Sequence, residues 1–205
     1  EDYPYSFLLK VHIICILKAS IFLPSKVTNF NKQWMISLNC VKKGSLKMIY
    51  CLALSNKKMD FEKFLTNQGP DFKGRALEEI WAYSDNEIES THDFVQIVFP
   101  TNKPSQATFN KLYLDNEKLI EDLKNNSAVT KNLKKSASWY LSFLDRNDAW
   151  QTGYDHNQLR ITRVIESLRL LVSDEAADEF FKAILRLVKD PAILNPTTMK
   201  FWEEA

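Results

Sequence analysis

Glycine is scarce in this chain, with only four residues in 205. That scarcity leaves no glycine-rich phosphate loop and no G-x-S-x-G elbow, the turns that bring backbone close to a phosphate or expose a nucleophile. Cysteine is limited to Cys15, Cys40 and Cys51, all before residue 59. An odd number without C-x-x-C spacing argues against a zinc site or a disulfide framework. The cysteine-free remainder fits a reducing compartment. Excess charge is also missing: a net +1 gives no general basic field for nucleic acid or membrane. No segment alternates apolar and polar residues with the period of two that a half-buried strand requires.

What remains is the composition of a globular protein, 45% hydrophobic, 12% aromatic and 26% charged. Such a chain can bury a sizeable core. The average hides a division. Residues 1–58 hold nine lysines against Glu1 and Asp2, a net of +7, which leaves −6 for the rest. Phe7 to Leu23 is apolar but carries Lys10 and Lys18, which makes a poor transmembrane span. Acidic residues precede it and Pro24 follows, the reverse of a signal peptide. Residues 1–58 therefore read as a basic, apolar extension, disordered or not natural coding sequence, with Met59 as the start. A basic anchor or targeting segment is the alternative. Function belongs to residues 59–205.

Within 59–205 the pattern predicts an all-α domain of about seven helices. Asp60–Gln68 and Phe72–Tyr83 are parted by Gly69-Pro70. Ser84 or Asp85 caps a helix over Asp85–Phe99, ended by Pro100. Asp115 caps a helix to about Lys124, with Leu114 packing on Leu119, and Ser127 caps the next, to about Leu144. His156–Val172 is the most apolar helix; Asp174–Lys189 and a short helix opened by Asn195-Pro196 complete the chain. The aromatics near the Trp150 loop and at Phe201 and Trp202 are candidates for core or for an interaction surface.

On a wheel at about 100° per residue, Ile161, Val164, Ile165, Leu168, Leu171 and Val172 form a broad core face, with Leu159 and Leu170 as a second apolar edge. Between them runs the stripe His156, Arg160, Arg163 and Ser167. A guanidinium between two apolar zones is partly desolvated and cannot shed its proton, so something negative must compensate it. Two readings follow. Arg160 and Arg163 hold Glu89, Asp93 or Asp155 across a helix interface, or they form a pocket for a carboxylate or phosphate. On the companion helix His92 and Gln96 lie one turn apart, on the side of Asp85 and Glu89. The candidate ligand-binding residues are His92, Gln96, His156, Asn157, Arg160 and Arg163. Two histidines without a spaced third ligand do not make a metal site. No catalytic constellation, metal or cofactor is called for. Lys131, Lys134 and Lys135 read as a solvated face.

Two blocks carry a family resemblance. Thr91-His92-Asp93-Phe94-Val95-Gln96-Ile97-Val98-Phe99-Pro100 and His156-Asn157-Gln158-Leu159-Arg160-Ile161-Thr162-Arg163-Val164-Ile165-Glu166-Ser167-Leu168 resemble, in order and separation, two blocks of the opioid growth factor receptor conserved region. Ile97 stands where that family usually has tryptophan. The resemblance covers about residues 70–190 and implies an all-α, small stand-alone member acting as a non-catalytic binding module. Its ligand is expected to be a small anion or a peptide carboxylate, with an enkephalin-type peptide as the family's label. The balanced charge and the lysines within the one apolar run predict no nucleic acid and no integral span, and the expected location is cytoplasmic. In animals the family label is nuclear, perinuclear and membrane-associated. The alternative is an enzyme on phosphorylated or anionic substrates that uses His92 or His156 as acid or base.

Overall fold

The computed structural model describes residues 59–105 and 112–205. Everything described lies in one compact unit, and the expectations for residues 1–58 fall outside the described residues. The described part is all-α, with nine α-helices and one short 3-10 turn at Pro191–Ile193. No helix among the described residues is long and apolar enough to cross a membrane.

The first four helices are short: α1 (Phe61–Leu65), α2 (Leu77–Trp81), α3 (Asp85–Ser90) and α4 (Phe94–Val98). Helix α2 begins later than the expected Phe72 because Asp71 organises the preceding residues into a turn. Its Oδ1 accepts from the backbone N–H groups of Lys73 (2.8 Å) and Arg75 (2.9 Å). Gly74, at φ +87°, supplies the left-handed step that a side chain disfavours. Ser84 caps α3 in a capping box with Glu87, as the sequence signal suggested.

The expected single helix over Asp85–Phe99 is instead two helices. Thr91 takes an extended conformation (φ −93°, ψ 115°) and ends α3, and α4 starts after Asp93. Neither proline nor glycine marks the break. Ser90, Thr91 and Asp93, whose short polar side chains compete with helical backbone bonds, are the signal that was there to read. This break turns the eight expected helical segments into nine helices.

Longer helices follow: α5 (Glu117–Asn125), α6 (Ser127–Arg146), α7 (His156–Leu171), α8 (Asp174–Leu187) and α9 (Pro196–Glu204). Two caps sit one residue from their expected places. Asn116 rather than Asp115 caps α5, and Asn126 rather than Ser127 caps α6, its side chain accepting from the N–H groups of Ala128 and Val129. Asp155 caps α7, Ser173 caps α8 and Asn195 caps α9.

Helix α7 is central and packs against α5, α6, α8 and α9. Its core face buries Ile161, Val164, Ile165, Leu168 and Leu171, each such side chain contributing about 1.5–3 kcal/mol on removal from water. The expected second apolar edge is divided: Leu159 is 47% exposed, whereas Leu170 is partly buried against the core. Trp150 and Trp202 are core residues with ring centroids 6.2 Å apart, whereas Phe201 is half-exposed. Gln158 fixes this end. Its side chain donates to the carbonyls of Trp150 and Thr152 and accepts from the Thr198 hydroxyl, while its own carbonyl accepts from the Trp202 indole. A buried primary amide meets its needs here through backbone and hydroxyl partners on both sides.

Candidate functional site

Two short helices presented end-on to α7 create the polar centre. Each exposes the carbonyls of its last turn, which have no partner inside the helix and carry its partial negative charge. The two arginines of the Leu159–Arg163 stretch meet these two ends separately. Arg160, 6% exposed, donates through Nη1 to the Ile88 carbonyl (3.0 Å) and through Nη2 to the carbonyls of Glu89 (3.4 Å) and Thr91 (3.1 Å). Arg163 donates through Nε to the carbonyl of Phe99 (2.9 Å), the residue that closes α4. The two sequence blocks thus meet as one unit in which a pair of guanidinium groups terminates consecutive helices.

Around Arg160 the network is closed. Asn157 Oδ1 accepts from Arg160 Nη1 (3.0 Å) and from the Tyr140 hydroxyl (2.9 Å), and Asn157 Nδ2 donates to Glu89 Oε2 (3.0 Å). Burial pushes the Tyr140 hydroxyl well above its ordinary range, which keeps it a neutral donor. The guanidinium also stands over the Phe94 ring at 5.5 Å, a cation–π contact that adds to the fit. Arg160 Nη2 lies 3.1 Å from His92 Nδ1. Because arginine has no acceptor, Nδ1 must accept this bond, and the neutral His92 ring therefore carries its proton on Nε2.

The acidic partners differ from those expected. Asp93 pairs with Arg75 (3.0 Å) and Lys73, not with Arg160 or Arg163. Burial alone would raise the Asp93 carboxyl, but hydrogen bonds from Lys73 and Arg75 outweigh it and hold the group below its ordinary value. Glu89 faces His156, with Oε1 3.3 Å from Nε2, and Asp155 is used in capping α7. The compensation of Arg160 comes from helix-end carbonyls, a source that composition and spacing do not reveal.

Of the six candidate residues, the structure joins His92, His156, Asn157 and Arg160 in one cluster. The rings of His92 and His156 are edge-on with centroids 5.6 Å apart. His92 is exposed, His156 partly so, and Asn157 is buried. Gln96 departs from the expectation. Because the helix breaks at Thr91, the one-turn relation of His92 to Gln96 is lost and Gln96 is buried within α4.

Arg163 is set apart from the cluster. Its Nη2 is buried without a hydrogen-bond partner, and so is the hydroxyl of Ser167 one turn along α7. No carboxylate among the described residues pairs with it; Glu166, the neighbour whose charge supports it, binds Lys103 instead (3.1 Å). Burial pushes the Arg163 guanidinium down to about 10, which still leaves it charged at neutral pH. Ser167 was legible only as the end of the polar stripe, and its lack of a partner is a tertiary fact.

The interaction surface expected near Trp150 and Trp202 is reduced by their burial. What lies at that end is a shallow groove of about 220 Å³ lined by Tyr154, Leu159, Thr162, Thr198 and Phe201 among others. None of the histidine and arginine candidates lines it.

Fold and site together define a compact helical domain whose polar centre is built from two helix ends and one long helix. Compared with protein-family models, curated proteins and solved structures, the chain matches none.

Proposed function

We propose that residues 59–205 act as a non-catalytic binding module of the opioid growth factor receptor type, taking a carboxylate or phosphate group at Arg163. The observation that carries this is the unpartnered Nη2 of a desolvated guanidinium beside the unpartnered hydroxyl of Ser167. An anion supplies both what the charge lacks and an acceptor for each donor. The family reading is supported by the two resembling blocks, which pair Arg160 with Thr91 and Arg163 with Phe99. Arg160 serves this reading as a positioning residue, since Nη1 and Nη2 are both bonded within the fold.

The test uses inorganic phosphate, short peptides with a free or an amidated C-terminus, and an enkephalin-type peptide as probes in calorimetric titration. Saturable binding is expected for one anionic class, lost in Arg163→Gln and weakened in Ser167→Ala, with the melting temperature of both variants close to that of the parent. Amidation abolishing peptide binding identifies the carboxylate as the recognised group. Binding that survives Arg163→Gln unchanged, or no saturable binding of any probe, overturns the proposal.

A further inference from the structure

The rim of the Arg160 cluster is acidic rather than basic. Glu89, Asp155 and His156 each place a possible ligand atom within 4.8 Å of those of the other two. They come from opposite sides of the centre: Glu89 from the last turn of α3, His156 from the first residue of α7, and Asp155 from its cap. His156 Nε2 approaches Glu89 Oε1 at 3.3 Å yet is buried without a hydrogen-bond partner, so the two atoms are close but not aligned on each other. The other ring nitrogen, Nδ1, lies 3.8 Å from Asp155 Oδ1.

We propose that Glu89, Asp155 and His156 form a binding site for a divalent transition-metal ion, with Zn²⁺ as the fitting case. One imidazole and two carboxylates are ligands that Zn²⁺ accepts at roughly 2.0–2.2 Å, and side-chain rotations of the three partly exposed groups bring their atoms to that range. Hydrogen bonds from Asn157 fix the orientation of the two carboxylates. Asn157 Nδ2 holds Glu89 Oε2 and leaves Oε1 toward His156. The Asn157 N–H holds Asp155 Oδ1 at 2.7 Å.

His92, although its ring touches that of His156, is excluded as a ligand. Arg160 occupies the Nδ1 lone pair, which leaves Nε2 protonated. The positive charge facing the site is Arg160, and the two carboxylates outnumber it. A filled site joins the end of α3 to the start of α7 and keeps coordination positions open to solvent, as a three-ligand site does.

The experiment titrates Zn²⁺ into the full chain by calorimetry, with Cys15, Cys40 and Cys51 replaced by serine so that thiolates do not compete. Co²⁺ absorption serves as a second readout of coordination. One equivalent is expected to bind and to raise the melting temperature. Glu89→Gln, Asp155→Asn and His156→Gln should each weaken affinity about tenfold or more, and Asp155→Asn retains a capping side chain. His92→Gln should leave stoichiometry and affinity close to the parent. Equal loss in His92→Gln, unchanged binding in His156→Gln, or Zn²⁺ binding no tighter than that of a chain lacking all three ligands overturns the proposal. The outcome is independent of Arg163, whose variants read a different ligand.

Discussion

Arg160 and Arg163 stand three residues apart on one helix, both answer a helix end from the same sequence block, and yet their surroundings are opposite. Around Arg160, three carbonyls, an amide oxygen and an imidazole nitrogen close on the guanidinium. Around Arg163 a single carbonyl is bonded to Nε and Nη2 has no partner. The first arrangement joins α3 to α7. The second holds a charge in a dry place with little internal return, and the proposed anion site rests on that deficit. Identical residue types on one helix thus differ in how far they are satisfied, according to how many acceptors the neighbouring turns supply.

The contrast breaks most clearly at Arg160. Arg160→Leu should destabilise by about 3–5 kcal/mol in urea unfolding, because the Ile88, Glu89 and Thr91 carbonyls and Asn157 all lose a buried donor. A loss below about 1 kcal/mol would mean that the network contributes little. Asn157→Leu should cost roughly 2–3 kcal/mol, since Tyr140 and Arg160 each lose an acceptor while Glu89 loses a donor. Combining it with Tyr140→Phe in a double-mutant cycle should show coupling, which independent contributions would not.

Acid sharpens the comparison at the neighbouring Asp93. Its folded pKa is depressed below the ordinary 3.8. Its contribution is therefore fully present above that value and is lost as pH falls through the folded value. Unfolding midpoints measured from neutral pH into acid should fall less steeply for Asp93→Asn than for the parent. Parallel curves would remove Asp93 from the account.

Arg163→Met should have the smallest effect, within about 1 kcal/mol of the parent and on either side of zero. Exchanging a desolvated, thinly bonded charge for an apolar side chain removes one hydrogen bond and one burial penalty together. A large destabilisation would place Arg163 with Arg160 as structural and undo the contrast.

Particular residues show how far the sequence reaches. The 3.6-residue period places α6, α7 and α8 within a few residues, because long amphipathic faces average over local exceptions. The Asp85–Phe99 segment shows the limit. Its apolar residues keep a helical period across Thr91, so periodicity alone runs straight through the break, while the carbonyls that the break frees are claimed by an arginine 69 residues away. Leu159 shows the same limit in reverse, an apolar residue on a side that the fold leaves exposed.

For the site, the motif blocks single out His92, Gln96, His156, Asn157, Arg160 and Arg163, and the structure gathers four of the six around one centre. The partner identities were not legible. Carbonyl groups are common to every residue and leave no mark in composition. Glu89 and Asp155 reach His156 only because α3 ends where α7 begins in space.

The sequence by itself determined the all-helical class of the described residues, the caps at Ser84 and Asn195 and the face that α7 buries, since these depend on local spacing and on side chains acting within a turn or two. Only the tertiary structure decided which arginine is satisfied, which histidine nitrogen is free and which carboxylates approach it. Those outcomes depend on groups far apart along the chain meeting at distances of a few ångströms, and no periodicity encodes such meetings.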